Sequence, residues 1–180
     1  MRIEITEKGS EEFYREVVNI TSQYRYILKN HHYKLKDYFR QFRSLLILST
    51  AALAILILMA VFWGIDPFYY ALIGALGIEA VMCVGYLYVL NKMLKAMLAD
   101  TRTSVLSLDD TGVELNKGGS QIVKIGWDNI AVVRIYQQSI AFVSGDRTGI
   151  VICAAKQYAG EILAWLRENQ PSAETVESSE

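Results

Sequence analysis

The sequence predicts an α+β membrane protein, in which a two-helix transmembrane hairpin is joined to a bent antiparallel sheet closed by a C-terminal helix. Three observations predict this fold class. Between Arg43 and Lys92 the chain has no basic residue and only two acids, Asp66 and Glu79. From Thr103 onward, short strand-like runs alternate with turn signals. The last apolar pattern has the spacing of an amphipathic helix.

The composition limits both size and chemistry. The chain has 180 residues, 52% of them apolar, which leaves room for one domain or for a membrane hairpin plus one small soluble domain. Its net charge of −1 gives no whole-chain argument for nucleic-acid binding. The two cysteines, Cys83 and Cys153, are too few and too far apart for a disulfide framework or a four-ligand zinc site. We therefore expect no metal and no cofactor.

The N-terminal segment, residues 1–43, is predicted to hold a short strand and a basic amphipathic helical segment. Arg2–Thr6 has a strand pattern and would add a seventh strand to the sheet, which makes the hairpin an insertion within one domain. A helix should begin near Ser10, an N-cap residue followed by two acids.

The stretch from Tyr24 to Arg43 holds six Lys or Arg, one acid and six aromatic residues. This mixture is typical of a helix that lies against anionic lipid headgroups. Nucleic acid is the competing partner for such a mixture, but the position beside an apolar span favours lipid. His31 and His32 follow a helix break at Asn30 and point in different directions, so they make a poor metal pair and are predicted to be solvated or interfacial.

Residues 44–90 are predicted to form the hairpin. Residues 44–63 are twenty uncharged residues, enough for a helix to cross a hydrocarbon core of about 30 Å. The segment Gly64–Pro67 permits only a tight reversal, and residues 68–90 form the second span. A signal peptide is disfavoured by the long charged segment before the first span. A buried core hairpin is disfavoured because both long runs have matching basic flanks.

Basic residues set the orientation of the hairpin, because they accumulate on the cytoplasmic side of short segments. They flank both spans, whereas the turn has only Asp66. We therefore expect a multi-pass protein of the cell membrane with both termini in the cytoplasm. The predicted basic residues of the membrane interface are Lys34, Lys36, Arg40, Arg43, Lys92 and Lys95.

Glu79 lies at the middle of the second span, where an ionised acid costs on the order of 2.5 to 3.5 kcal/mol. Removal from water favours the protonated form of a carboxyl. In an antiparallel hairpin Glu79 should face the neighbourhood of Leu53 and Ala54, with Thr50 about one turn away. Small residues on both helices should let the backbones approach closely. We therefore predict an interhelical polar clasp between Glu79 and Thr50, and a proton or ion pathway is the alternative.

The C-terminal half is predicted to contain a cytoplasmic linker, residues 91–102, a folded domain, residues 103–170, and a disordered acidic tail, residues 171–180. Turns of two to five residues make neighbouring strands antiparallel. In the closing helix, Lys156 to Asn169, one apolar stripe consists of Tyr158, Ile162, Trp165 and Leu166. The six predicted strands are "TSVLSL", "VELNK", "QIVKIGW", "IAVVRIY", "IAFVS" and "IVICAA".

The order of these elements, with the segment "LDDTGVELNKGGSQIVKIGWDNIAVVRIYQQSIAFVS", resembles the YcxB-like family of bacterial membrane proteins. The matching features are the turn residue Gly112 and the segment Trp127 to Ile130. The chain has Ala154 and Ala155 where a proline is expected before the last helix. The resemblance implies a hairpin bearing a pleckstrin-homology-like (PH-like) domain, and it implies no catalytic residue.

The sequence favours a non-enzymatic function. Phosphate-binding glycine loops, metal-ligand clusters and nucleophile elbows are not found in it. The leading hypothesis is a membrane-anchored interaction or regulatory module, whose PH-like domain binds a protein partner, another copy or lipid headgroups. The alternative is a small oligomeric transport or channel component that uses Glu79.

Overall fold

The computed structural model describes residues 1–5, 9–63, 67–118, 121–146 and 148–177. Its contacts divide the chain into two compact units. We call Met1–Leu35 together with Ala96–Glu180 the sheet domain, and Lys36–Lys95 the hairpin. The hairpin is thus inserted into the sequence of a discontinuous domain, as a seventh N-terminal strand requires.

The chain begins in the sheet domain, passes through the hairpin and returns to the sheet domain. The elements in chain order are β1 (Arg2–Ile5), α1 (Glu11–Lys29), α2 (Tyr38–Trp63), α3 (Pro67–Ala99), β2 (Ser104–Asp109), β3 (Gly112–Lys117), β4 (Gln121–Gly126), β5 (Ile130–Ile135), β6 (Ser139–Ser144), β7 (Val151–Ala155), α4 (Ala159–Asn169) and β8 (Thr175–Glu177). Two short 3₁₀ turns, Trp127–Asn129 and Lys156–Tyr158, precede β5 and α4.

The strands form two four-stranded sheets, whereas the sequence predicts one bent sheet. Sheet A has the order β1-β2-β3-β4 and sheet B the order β7-β6-β5-β8. All neighbouring pairs are antiparallel except β5 and β8. The sheets separate at the 3₁₀ turn between β4 and β5. Trp127 anchors this corner, because its Nε1 donates to the Asp109 carbonyl at 2.7 Å and its ring stacks on Trp165.

The main core joins both sheets and α4. It contains Leu106 from β2, Val113 from β3, Phe142 from β6 and Ile152 from β7, all of them fully buried. The predicted stripe of the closing helix is confirmed, since Ile162 and Leu166 are buried in this core and Tyr158 and Trp165 pack at its margin.

The opposite face of sheet B is covered by α1. Ser10 caps this helix as predicted, since its Oγ accepts from the Phe13 amide at 3.1 Å. Ile20 and Ile27 pack against Val132 and Val143 in a second buried cluster. The helix ends at Lys29, and residues 30–37 are not helical. The apolar face of α1 is therefore occupied by the sheet, and contact of the basic stretch from Tyr24 to Arg43 with lipid headgroups stays a prediction.

Two predicted boundaries are also corrected. Residues 91–102 were expected to be a linker, but α3 continues to Ala99. Residues 171–180 were expected to be disordered, but Thr175–Glu177 form β8. Hydrogen bonding explains this strand, because the Val133 amide donates to the Glu174 carbonyl at 2.9 Å. Ser178 to Glu180 lie outside the described residues.

The hairpin consists of α2 and α3, both long and apolar enough to cross a membrane. Less exposed positions recur at alternating steps of four and three, which is the spacing of a left-handed coiled-coil seam. Phe42 of α2 stacks on Tyr86 of α3 with ring centroids 4.9 Å apart. The seam includes Phe42, Leu46, Ser49, Leu53, Leu56 and Ala60 on α2 and Tyr69, Ile73, Leu76, Ala80, Cys83, Leu87 and Leu90 on α3.

The predicted close approach of backbones at small residues is not found at the glycines. A Cβ atom placed at Gly74, Gly77 or Gly85 would meet no atom of another element within 4 Å. The three glycines leave shallow open positions on the surface of α3.

A pair of glycines in the sheet domain offers a test of the fold. Gly112 has φ +154°, and a Cβ there would collide with the Ile125 carbonyl oxygen and approach Gly126 Cα to 2.8 Å. We expect Gly112→Ala to lower the free energy of unfolding by about 2–4 kcal/mol. Gly160→Ala is the matched control, because open space surrounds this position in α4, and it should stabilise by about 0.5–1 kcal/mol. Urea unfolding in detergent, followed by Trp127 and Trp165 fluorescence, measures both; equal effects would contradict the close approach of β3 and β4 at Gly112.

Candidate functional site

The described outer surface of the hairpin is mainly apolar. Val61, Phe62, Phe68 and Val81 are each 67–77% exposed, which is far more than the core helix of a soluble protein allows. The other large apolar side chains exposed along the two helices are Ile47, Leu48, Ile55, Ile57, Leu58, Tyr70, Ile78, Met82, Val84, Tyr86, Tyr88 and Val89. These side chains are distributed along both helices, which are long and apolar enough to cross a membrane.

The six predicted basic residues are all exposed. In the sequence they lie just before the apolar run of α2 or just after that of α3. Arg40 and Arg43 are in the first two turns of α2, and Lys92 and Lys95 are in the last turns of α3. The remaining two, Lys34 and Lys36, lie in the segment before α2. The N-terminus of α2 is capped by Asp37, whose Oδ1 accepts from the Phe39 amide at 3.1 Å.

Glu79 and Thr50 are both on exposed surfaces of the hairpin. The Thr50 hydroxyl donates to the Leu46 carbonyl of its own helix. Among the described residues the structure shows no hydrogen bond between Glu79 and Thr50, so it does not bring the predicted clasp together within one chain. Ile78 and Met82, beside Glu79 on α3, are exposed apolar residues. A hydrogen bond from Glu79 to a neighbouring molecule stays a prediction.

A polar cluster in the sheet domain is not predicted by the sequence. Glu16 of α1 accepts hydrogen bonds at the turn between β5 and β6, from the Ser139 hydroxyl at 2.6 Å and the Gln138 amide at 3.1 Å. Burial raises the pKa of the Glu16 carboxyl, although these hydrogen bonds favour its ionised form. Glu16 thus fixes the start of α1 to sheet B.

Arg134 of β5 is a second unexpected polar residue, only 1% exposed. Its guanidinium donates to the Tyr33 carbonyl at 2.7 Å and lies over the Tyr136 ring at 4.9 Å. Within the part of the chain that the structure describes, its Nε and the Tyr136 hydroxyl have no hydrogen-bond partner, and burial raises the Tyr136 pKa. The ionic partner expected for a buried arginine is not found among the described residues. The charge inside the run "IAVVRIY" was the available signal for this residue.

His31 and His32 follow α1 at the predicted break. His31 Nδ1 lies 2.9 Å from Glu174 Oε2, which links the end of α1 to the segment before β8. His32 is exposed. Over residues 1–5, 9–63, 67–118, 121–146 and 148–177, no three His, Cys, Asp or Glu side chains converge in a way that could hold a metal ion.

Comparisons with protein-family models, with curated proteins and with solved structures find no match for this chain.

The pKa of Glu16 generates a test of how α1 is attached. Burial raises the pKa of the Glu16 carboxyl in the folded protein above the ordinary value near 4.5. The protonated carboxyl therefore stabilises the fold at low pH, and this stabilisation is lost as pH rises through the folded-state pKa. Glu16→Gln keeps an oxygen acceptor without the charge. We expect it to become more stable relative to wild type as pH rises from about 4 to about 7, measured by urea unfolding in detergent.

Glu16→Ala provides the contrast. It leaves the buried Ser139 hydroxyl and the Gln138 amide without their acceptor, so it should cost about 1–3 kcal/mol near pH 4, and this cost should shrink as pH rises because wild type itself loses stability. If Gln and Ala had the same effect, the hydrogen bonds of Glu16 would have no role in holding α1.

Proposed function

We propose that this chain is a membrane-anchored, non-enzymatic interaction or regulatory module. The observation that carries the proposal is the set of large apolar side chains exposed along α2 and α3. In this proposal the hairpin spans the bilayer, and the sheet domain binds a protein partner, another copy or lipid headgroups.

Helix length supports a spanning hairpin. α2 has 26 residues and α3 has 33, which at a rise of about 1.5 Å each give about 39 and 50 Å. Both lengths exceed a hydrocarbon core of about 30 Å. The exposed cations at the start of α2 and the end of α3 are suited to anionic headgroups, with which each basic residue interacts by about 1 kcal/mol. This distribution supports a cytoplasmic location for both termini.

The form of the sheet domain supports an interaction role. β4 is an edge strand of sheet A, and its Ile122 is 60% exposed. Edge strands with accessible backbone groups can receive an additional strand from a partner. The two-sheet arrangement closed by α4 is also in keeping with the PH-like domain implied by the resemblance to YcxB-like proteins.

Cysteine labelling in intact cells tests the anchor and its orientation. In a chain with Cys83→Ala and Cys153→Ala, we expect an impermeant maleimide to label Asp66→Cys from outside. Thr101→Cys, an exposed position after α3, should be labelled only after the cells are opened. Labelling of Thr101→Cys alone in intact cells would reverse the orientation, and recovery of the chain in the soluble fraction would reject the anchor.

A second candidate function is a small oligomeric transport or channel component. The observation that favours it is the exposed position of Glu79 on an otherwise apolar helix surface. Because an acid facing lipid is costly, a neighbouring copy would have to cover it, and several copies around one axis would bring several carboxyls together.

Two substitutions at Glu79 separate the candidates. Glu79→Gln keeps hydrogen-bonding capacity, so in the anchor proposal it should leave association between copies unchanged, whereas Glu79→Leu should weaken it. Crosslinking in proteoliposomes measures association, and a pH-sensitive dye measures proton flux in the same vesicles. A flux present in wild type and abolished by Glu79→Gln, with association unchanged, would favour transport.

A further inference from the structure

The C-terminal tail binds the sheet domain as a peptide ligand binds an open strand edge. β8 pairs in parallel with β5, with Val133 opposite Thr175, Arg134 opposite Val176 and Ile135 opposite Glu177. β8 is the last strand of sheet B on that side, so without the tail β5 would be the edge of the sheet. This main-chain addition is the mode by which extended peptides join a sheet.

One side chain anchors the tail in a groove between β5 and α1. Val176 is 7% exposed, and it belongs to the buried cluster that includes Ile20 and Ile27 of α1 and Val132 of β5. Its neighbours Thr175 and Glu177 are exposed. The groove therefore buries the side chain of Val176, whereas the side chains on either side of it remain in solvent.

A polar contact also links the tail to the residues that follow α1. Glu174 Oε2 lies 2.9 Å from His31 Nδ1, just beyond the end of α1, and the Glu174 carbonyl accepts from the Val133 amide. The acid that meets His31 thus precedes the buried valine by two residues.

We propose that the groove between β5 and α1 is a peptide-binding site, which the chain's own tail occludes. Its external ligand is an extended segment with an acid two residues before a buried Val or Ile, added in parallel to β5. Such a peptide would be a partner of the interaction module proposed above. Only the biological role of the groove rests on that proposed function.

The tail is suited to exchange. Its strand has three residues, and parallel pairing is slightly weaker per residue than antiparallel pairing. Short, peripheral strands belong to the parts of a protein that open with the lowest free energy. Because the tail is tethered, it competes with an external peptide at an effective concentration on the order of millimolar.

Peptide binding to the full chain in detergent tests the proposal. The probe is a fluorescein-labelled peptide with the sequence of residues 170–180, and the protein is wild type or Val176→Asp. We expect the peptide to bind Val176→Asp at least about tenfold more tightly than wild type, because the charged tail no longer fills the groove. Val176→Ala should give an intermediate affinity and serves if Val176→Asp does not fold.

The matched control is Thr175→Asp, which places the same charge on the exposed neighbouring side chain and should bind the peptide as wild type does. A peptide with Asp in place of its valine should lose binding to every variant. Hydrogen exchange at Val133 should be faster in Val176→Asp and should slow again with peptide.

Two results would overturn the proposal: no binding to a folded Val176→Asp chain, or binding that does not depend on the valine of the peptide. Flotation of the same protein with vesicles reports on the membrane anchor separately. Failure of the peptide-binding proposal can therefore be distinguished from failure of the membrane-anchor proposal.

Discussion

The structure of the sheet domain depends on one constraint, which is that both faces of sheet B must be covered. Every residue of β6 is buried, including the two serines at its ends. One face is covered by sheet A and α4, and the other by α1. If either Met1–Leu35 or Ala96–Glu180 were missing, an apolar face would remain in water. Neither of these two segments therefore forms the core alone. The segment before the hairpin and the segment after it must therefore come together, which explains why the domain is discontinuous in sequence.

Local signals predicted much of this fold. The cap at Ser10, the strands from Ser104 to Ala155 and the buried stripe of α4 follow from residue periodicity and turn chemistry. The location of α1 did not follow, because a helix face that contains Ile20 and Ile27 is equally suited to lipid and to a sheet. β8 was missed because three residues carry too little pattern, and its pairing with β5 is a tertiary contact. The division into two sheets depends on the corner at Trp127, which periodicity does not show.

The polar residues of the candidate sites show the same limit. Glu79 was found because a carboxyl inside an apolar run stands out, but its exposed position depends on which helix faces form the seam. The seam has a spacing of four and three, and this spacing was present in the sequence from Tyr69 to Leu90. Glu16 and Arg134 were not found, since their burial arises when α1 meets sheet B. Charge alone does not distinguish a solvated residue from one that holds two elements together.

The insertion of the hairpin has a consequence for the order of biosynthesis. β1 and α1 leave the ribosome before the hairpin, yet β1 pairs with β2, and α1 contacts β6 and β7, all of which are made after the hairpin. α1 must wait, with Ile20 and Ile27 unprotected, until translation of sheet B is complete. Entry of the apolar helices into a bilayer during synthesis would bring the two halves of the domain near each other. Membrane insertion would then act as the step that shortens the search for the native core.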